Sequence, residues 1–192
     1  MKLLIDSSTN YLYLCLIDND VNKYFIRCGK NDHSETLVDY LNKFLIDNNY
    51  TTNDIKEVYI GRGPGSYTGL RIAGTVGKVL AHIKDIKLYS FSSLDLILAK
   101  MIELNGKYIS RIDAKKNHSY YKIVEINNFN INILIDETFG ENTIFDNYPE
   151  YEVLEMNDEF FTNNPGVNII KYNLFKEEST LDFSPNYIRS GI

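Results

Sequence analysis

At 192 residues the chain is long enough for one large domain or two small lobes with a substantial core. A hydrophobic content of 44% suits an ordinary globular protein, and a net charge of −6 opposes non-specific binding to nucleic acid. No apolar run approaches bilayer length and Met1-Lys2-Leu3-Leu4-Ile5-Asp6 is too short for a signal peptide, so a cytoplasmic protein without a membrane partner is expected.

Three strand candidates open the chain. Leu3-Leu4-Ile5 runs into Asp6-Ser7-Ser8-Thr9, and Tyr11 to Ile17 and Val21 to Cys28 follow, joined by a hairpin turn at Asp18-Asn19-Asp20. Cys15 and Cys28 fall in these apolar runs, where packing as small hydrophobes is expected over a disulfide or a metal site. A helix is predicted to open near Asp32, with Glu35 as a capping-box partner and Leu37, Leu41, Phe44 and Leu45 as its core stripe, ending about Asn48-Asn49. Val38, Asn42 and Ile46 form a second line outside that stripe.

Asp54 to Ile60 is a fourth strand, and it leads into Gly61-Arg62-Gly63-Pro64-Gly65-Ser66-Tyr67-Thr68-Gly69-Leu70-Arg71. Ser66 or Thr68 caps the helix that follows, to about Ile83. Strand, glycine loop and helix N-terminus together offer free N–H groups to an anion. The alternative is that the glycines only make a sharp strand-to-helix turn. At 100° per residue, Ile72, Val76, Val79, Leu80 and Ile83 share one side of this helix, the expected sheet-packing stripe. Leu70, Ala73, Gly74, Gly77 and Ala81 fall roughly opposite, with Arg71, Thr75, Lys78 and His82 between. Each interior glycine costs about 1 kcal/mol of helix stability, and a small stripe lets a second helix approach closely. Either a second layer of the chain covers that stripe, or another protein does.

Lys87 to Phe91 reads as a fifth strand, and Ser92-Ser93-Leu94-Asp95 caps a third helix through about Glu103. Further on, Lys107 to Asp113, His118 to Glu125 and Ile131 to Glu137 alternate as strands, with shorter candidates at Tyr151 to Met156 and Val167 to Ile170. Helical patterns are scarce after Gly106.

The order β-β-β-α-β-α-β-α matches a half-domain of the actin, sugar-kinase and chaperone-ATPase superfamily. The predicted class is therefore α/β, an actin-like ATPase (ribonuclease H-like) fold with two lobes and a mixed sheet flanked by helices. Residues 1–105 form the first ATPase-like lobe, and residues 106–192 a second, reduced, strand-rich lobe. In that superfamily the first hairpin places an acid and small hydroxyls near the phosphates. A vestigial nucleotide or phosphate site would comprise Asp6, Ser7, Ser8 and Thr9 with Gly63, Gly65 and Ser66. The alternative is a polar turn with Asp6 buried at a strand end.

Four segments resemble the TsaB (YeaZ) family of the bacterial threonylcarbamoyladenosine pathway: LLIDSST, HSETL from His33, GRGPGSYTGLRI from Gly61, and SPNYIR from Ser184. RIDAKKNHSYY from Arg111 is similar to a fifth family segment, with Lys115 where that family carries arginine. The resemblance implies an accessory subunit with no catalytic residues, metal or cofactor of its own. It implies a heterodimer with a catalytic paralogue, TsaD, which holds ATP and metal and modifies the adenosine beside the anticodon of ANN-decoding tRNAs. A small ATPase, TsaE, joins, tRNA is reached only through the complex, and a peptidase label is an old one. Docking is implied through the first two helices, with Leu70, Ala73, Gly74, Gly77 and Ala81 as the interface and Val38, Asn42 and Ile46 beside it. A weak homodimer is expected when the paralogue is absent.

The histidines, His33, His82 and His118, offer no pair four apart for the paralogue's type of metal site. The main alternative is an ATP-dependent small-molecule kinase on the same fold, using Asp6 and the glycine loop. A direct tRNA binder is a third reading, resting on Arg111, Lys115, Lys116 and Lys122.

Overall fold

The computed structural model describes residues 1–19, 21–29, 32–157, 160 and 163–188, without the side chains of His33 and Ser34. The first half runs β1 (Lys2–Asp6), β2 (Tyr11–Asp18), β3 (Val21–Cys28), α1 (His33–Asp47), β4 (Glu57–Gly61), α2 (Tyr67–Lys84), β5 (Lys87–Phe91) and α3 (Ser93–Ala99). The second runs β6 (Gly106–Asp113), β7 (His118–Asn127), β8 (Asn130–Glu141), β9 (Glu152–Leu154), α4 (Pro165–Lys171) and β10 (Lys176–Glu178). A six-stranded sheet has the order β10-β5-β4-β1-β2-β3, and a four-stranded sheet the order β8-β7-β6-β9. In the first sheet, β1, β4 and β5 are parallel while β2, β3 and β10 run antiparallel to their neighbours. This is the mixed α/β fold with two sheets and flanking helices that the element order predicts.

Strand alternation divides the core. Leu3 and Ile5 of β1, with Val58 and Ile60 of β4, face α1 and α2. Leu4 and Tyr59 point the other way, onto α3, α4 and the inner face of the second sheet. Two polar ties fix α3 against that second sheet. Ser110 Oγ donates to the Leu94 carbonyl at 2.8 Å, and the buried Lys122 ammonium meets Asp95 at 2.8 Å. No helix among the described residues is long and apolar enough to cross a membrane.

Several expectations need correction. Val167–Ile170 is not a strand. It lies within α4, where the Asn164 side chain accepts from the Gly166 N–H and Pro165 occupies the first turn. The third helix stops at Ala99 rather than Glu103. No capping box closes α1, because the Asp32 carboxylate is paired with Arg27 instead. Of the two free cysteines, Cys15 is buried as expected, but Cys28 is exposed. Every strand of the second sheet lies after residue 105, yet β10 returns to pair with β5 and Phe183 packs on α2. Residues 176–188 therefore belong spatially with the first sheet. Asp20 of the hairpin turn and Arg189 of SPNYIR lie outside the described residues.

Candidate functional site

The two sheets enclose a cleft of about 450 Å³ whose walls include Ser8, Thr9, Gly65, Ser66, Arg111 and Lys115. Three segments distant in sequence meet there: the end of β1, the glycine loop, and the RIDAKK run of β6. Asp6 is not among the walls. It is fully buried, and its Oδ1 accepts from the Ser8 N–H at 2.9 Å and the Ser8 hydroxyl at 2.6 Å. Its Oδ2 accepts from Ser93 Oγ at 2.6 Å and fills the space that a side chain on Gly61 would need. Ser7 is likewise turned inward, donating to the Gly69 carbonyl at 2.8 Å. These are the contacts of a polar turn at a strand end.

The glycine loop is explained by backbone contact with that turn. Ser66 donates its N–H to the Ser8 carbonyl at 2.7 Å, and its side chain caps α2 by accepting from the Gly69 N–H. A Cβ on Gly65 would stand 2.3 Å from the Ser8 carbonyl oxygen, and one on Gly69 only 1.8 Å from that of Ser7. Gly63, at φ +98°, sits in a left-handed conformation and accepts the Ser93 N–H at 3.0 Å.

Charges around the cleft are largely matched. Arg111 donates to Ser119 Oγ at 2.7 Å and to Glu155 at 2.6 Å, and Lys122 has Asp95 and Asp136 beside it. Lys115 pairs with Asp113 at 3.1 Å. Partial burial works upward on the Asp113 carboxyl, but hydrogen bonds from the Lys115 ammonium and N–H outweigh it and hold it below its ordinary range. The predicted basic cluster is therefore mostly neutralised. His118 stacks on Phe139 with its Nδ1 2.7 Å from the Lys116 carbonyl, and His82 is exposed on α2. Among the described residues no group of three or more His, Cys, Asp or Glu side chains is placed to hold a metal.

The second candidate surface is the α1–α2 face, and here the structure reverses the predicted orientation of α2. Leu70, Ala73, Gly74, Gly77 and Ala81 are buried beneath the chain's own residues. A Cβ on Gly77 would lie 2.4 Å from Ile60 Cγ2, and one on Gly74 would lie 3.0 Å from the Phe183 ring. The small stripe exists because α2 is pressed onto β4 and roofed by the segment after β10. It is not an uncovered interface. The bulky stripe goes the other way. Ile72, Val76 and Leu80 are partly buried toward α1, while Val79 is 48% exposed and Ile83 76%. On α1, Val38 and Ile46 are each 61% exposed and Asn42 is exposed. A groove of about 420 Å³ separates the helices between Val38 and Ile72. Periodicity finds both stripes but not which one faces the sheet.

A family model described as "TsaD: tRNA N6-adenosine threonylcarbamoyltransferase" matches residues 27–184. The "tRNA threonylcarbamoyladenosine biosynthesis protein TsaB" of Bacillus subtilis (strain 168) is 31% identical over 127 residues, 66% of this chain and 56% of that protein. The protein of the same name from Escherichia coli (strain K12) is 28% identical over 122 residues, 62% of this chain and 52% of that one. The chain thus spans about half the length of these curated relatives. In fold it is similar to "YeaZ from Pseudomonas aeruginosa", with a TM-score of 0.74 at 16% identity over 97% of this chain and 98% of that one. The chain belongs to the tRNA N6-adenosine threonylcarbamoyltransferase (TsaD) family, and its named relatives place it with the TsaB/YeaZ members.

Proposed function

We propose that this chain is a non-catalytic accessory subunit in the formation of threonylcarbamoyladenosine beside the anticodon of ANN-decoding tRNAs. It docks through α1 and α2 onto a TsaD-type catalytic paralogue. The observation that carries this reading is the set of exposed aliphatic side chains on two adjacent helices, Val38 and Ile46 on α1 and Val79 and Ile83 on α2, which are between 48% and 76% exposed. Exposed apolar side chains gathered on one face of a folded protein mark a contact site. The equivalent helices of the paralogue complete a bundle, packing ridges into the groove between Val38 and Ile72. In this reading ATP and metal sit on the paralogue, a TsaE-like ATPase joins the assembly, and tRNA is met only through the complex. Without the paralogue, the same face pairs weakly with a second copy.

A phosphotransferase of the same fold has one observation in its favour, the cleft between the sheets. It requires a carboxylate available to a metal-bound water, and the Asp6 carboxylate is engaged by Ser8 and Ser93. The test is reconstitution with the paralogue and the small ATPase, with and without this chain. Modified adenosine should form only when the chain is present, and the chain alone should neither turn over ATP nor modify tRNA. Turnover by the isolated chain would favour the phosphotransferase instead.

A further inference from the structure

The SPN segment and Arg62 of the glycine loop have no part in the docking face, yet they meet at one point with β8. Glu137, with only 10% of its side chain exposed, receives Arg62 Nη2 at 3.0 Å and Asn186 Nδ2 at 2.8 Å. The backbone closes the triangle, because the Asn186 N–H donates to the Arg62 carbonyl at 2.7 Å. Arg62 is anchored in turn by its own N–H on the Phe91 carbonyl at 2.9 Å. Three parts of the chain, the glycine loop, the second sheet and the segment after β10, are thus tied through one carboxylate.

That segment also covers α2. Phe183 is buried over Gly74, Lys78 donates to the Leu181 carbonyl at 3.3 Å, and Tyr187 packs on Tyr67 with ring centroids 5.1 Å apart. The turn that starts it is held by Ser179, whose carbonyl accepts from the Phe183 N–H at 3.0 Å. Residues 179–188 themselves form no strand or helix, so side-chain packing and these hydrogen bonds hold them in place.

We infer that Glu137 is the positioning residue of a clasp, which locks residues 179–188 over α2 and fixes the second sheet to the glycine loop. A nearly buried carboxylate with a guanidinium on one oxygen and an amide on the other is stable only while both donors stay. Losing one leaves the carboxylate short of a partner, and the remaining contacts loosen together. The clasp also links β8 to the segment over α2, so opening it uncovers Gly74, which the Phe183 ring covers.

Hydrogen exchange on the full chain tests this without any partner. In Glu137→Gln and in Asn186→Ala, the Phe183 and residue-186 amides should exchange on the order of tenfold faster or more, the size set by a charged hydrogen bond. Protection in β2 and α1 should stay at the wild-type level, and the double variant should be no faster than the faster single one. Glu177→Gln removes an exposed pair with Lys87 and serves as the control that leaves 179–188 unchanged. Should Glu137→Gln fail to fold, Asn186→Ala carries the test, because its side chain lies on a surface segment. Unchanged exchange at residues 183 and 186, or a rate rise spread evenly over the whole chain, overturns the inference.

Discussion

Replacing Gly77 with alanine tests the corrected orientation of α2 by its sign. If the small stripe faced solvent or a partner, Gly77→Ala would stabilise the isolated chain by about 1 kcal/mol through helix propensity. In the structure the added Cβ falls 2.4 Å from Ile60 Cγ2 and 3.4 Å from Val58 Cγ1, both on fully buried side chains of β4. Overpacking of that kind costs about 1–3 kcal/mol, so the net change is a loss of up to about 2 kcal/mol. The neighbouring glycines set a ranking. Gly74→Ala meets only the edge of the Phe183 ring at 3.0 Å, which can shift, and should stay within about 1 kcal/mol of wild type. Gly69→Ala meets the Ser7 backbone carbonyl at 1.8 Å and should lose the most. Denaturant unfolding of the three variants measures the order. In an Ile60→Ala background, where the offending methyl is gone, Gly77→Ala should cease to destabilise. A Gly77→Ala chain stabilised by about 1 kcal/mol, as a solvent-facing helix position would give, would refute the packing argument.

Three further outcomes are expected. Partial burial pushes the Glu57 carboxyl up, but hydrogen bonds from Lys2 and Tyr59 outweigh it, so its folded pKa lies below its ordinary unfolded value. Its contribution is therefore present above that value and lost as pH falls through the folded pKa, and Glu57→Gln should flatten the acid limb of a stability–pH curve; an unchanged limb would contradict this. A thiol reagent should modify the exposed Cys28 on the native chain and reach Cys15, whose thiol burial pushes up to about 11, only after unfolding. Equal rates for both thiols would place Cys15 outside the core. Sedimentation of the isolated chain should show weak, concentration-dependent pairing that Ile83→Asp removes, and a strict monomer at high concentration would exclude self-association through this face.

Most strands were legible locally: β3 and β5 begin and end where the residues alone place them, whereas β4 opens at Glu57 rather than Asp54, where residues 52–54 make a 3-10 turn, and β10 carries no local signal that placed it. The glycine loop and the Ser66 cap were equally local. What local pattern missed were features that depend on distant residues. On α2 both stripes are apolar and the charged residues lie between them, so periodicity could not say which stripe faced the sheet. Bulk suggested Ile72 and Val76, whereas close approach to Ile60 required Gly77. Val167–Ile170 reads as a strand by composition, although Asn164-Pro165 just before it was a usable helix-start signal. The β10 pairing with β5 and the meeting of Arg62, Glu137 and Asn186 join residues 49 or more apart, and only the fold brings them together. Among the site residues, Ser8, Thr9, Gly65 and Ser66 meet at one cleft as the superfamily's order of motifs implies, and Asp6 takes the buried strand-end position that was the alternative reading; the presence of Arg111 on the same cleft and the Ser93 bond to Asp6 depend on distant residues.

Titration of the TsaD-type paralogue against wild-type chain and Ile83→Asp tests the docking claim most directly. Ile83 is 76% exposed, so its replacement should leave thermal unfolding unchanged. Wild type should bind saturably and Ile83→Asp at least tenfold more weakly, the effect of a charge buried unpaired at an interface. Equal affinity of the two chains, or no binding by either, would contradict that claim.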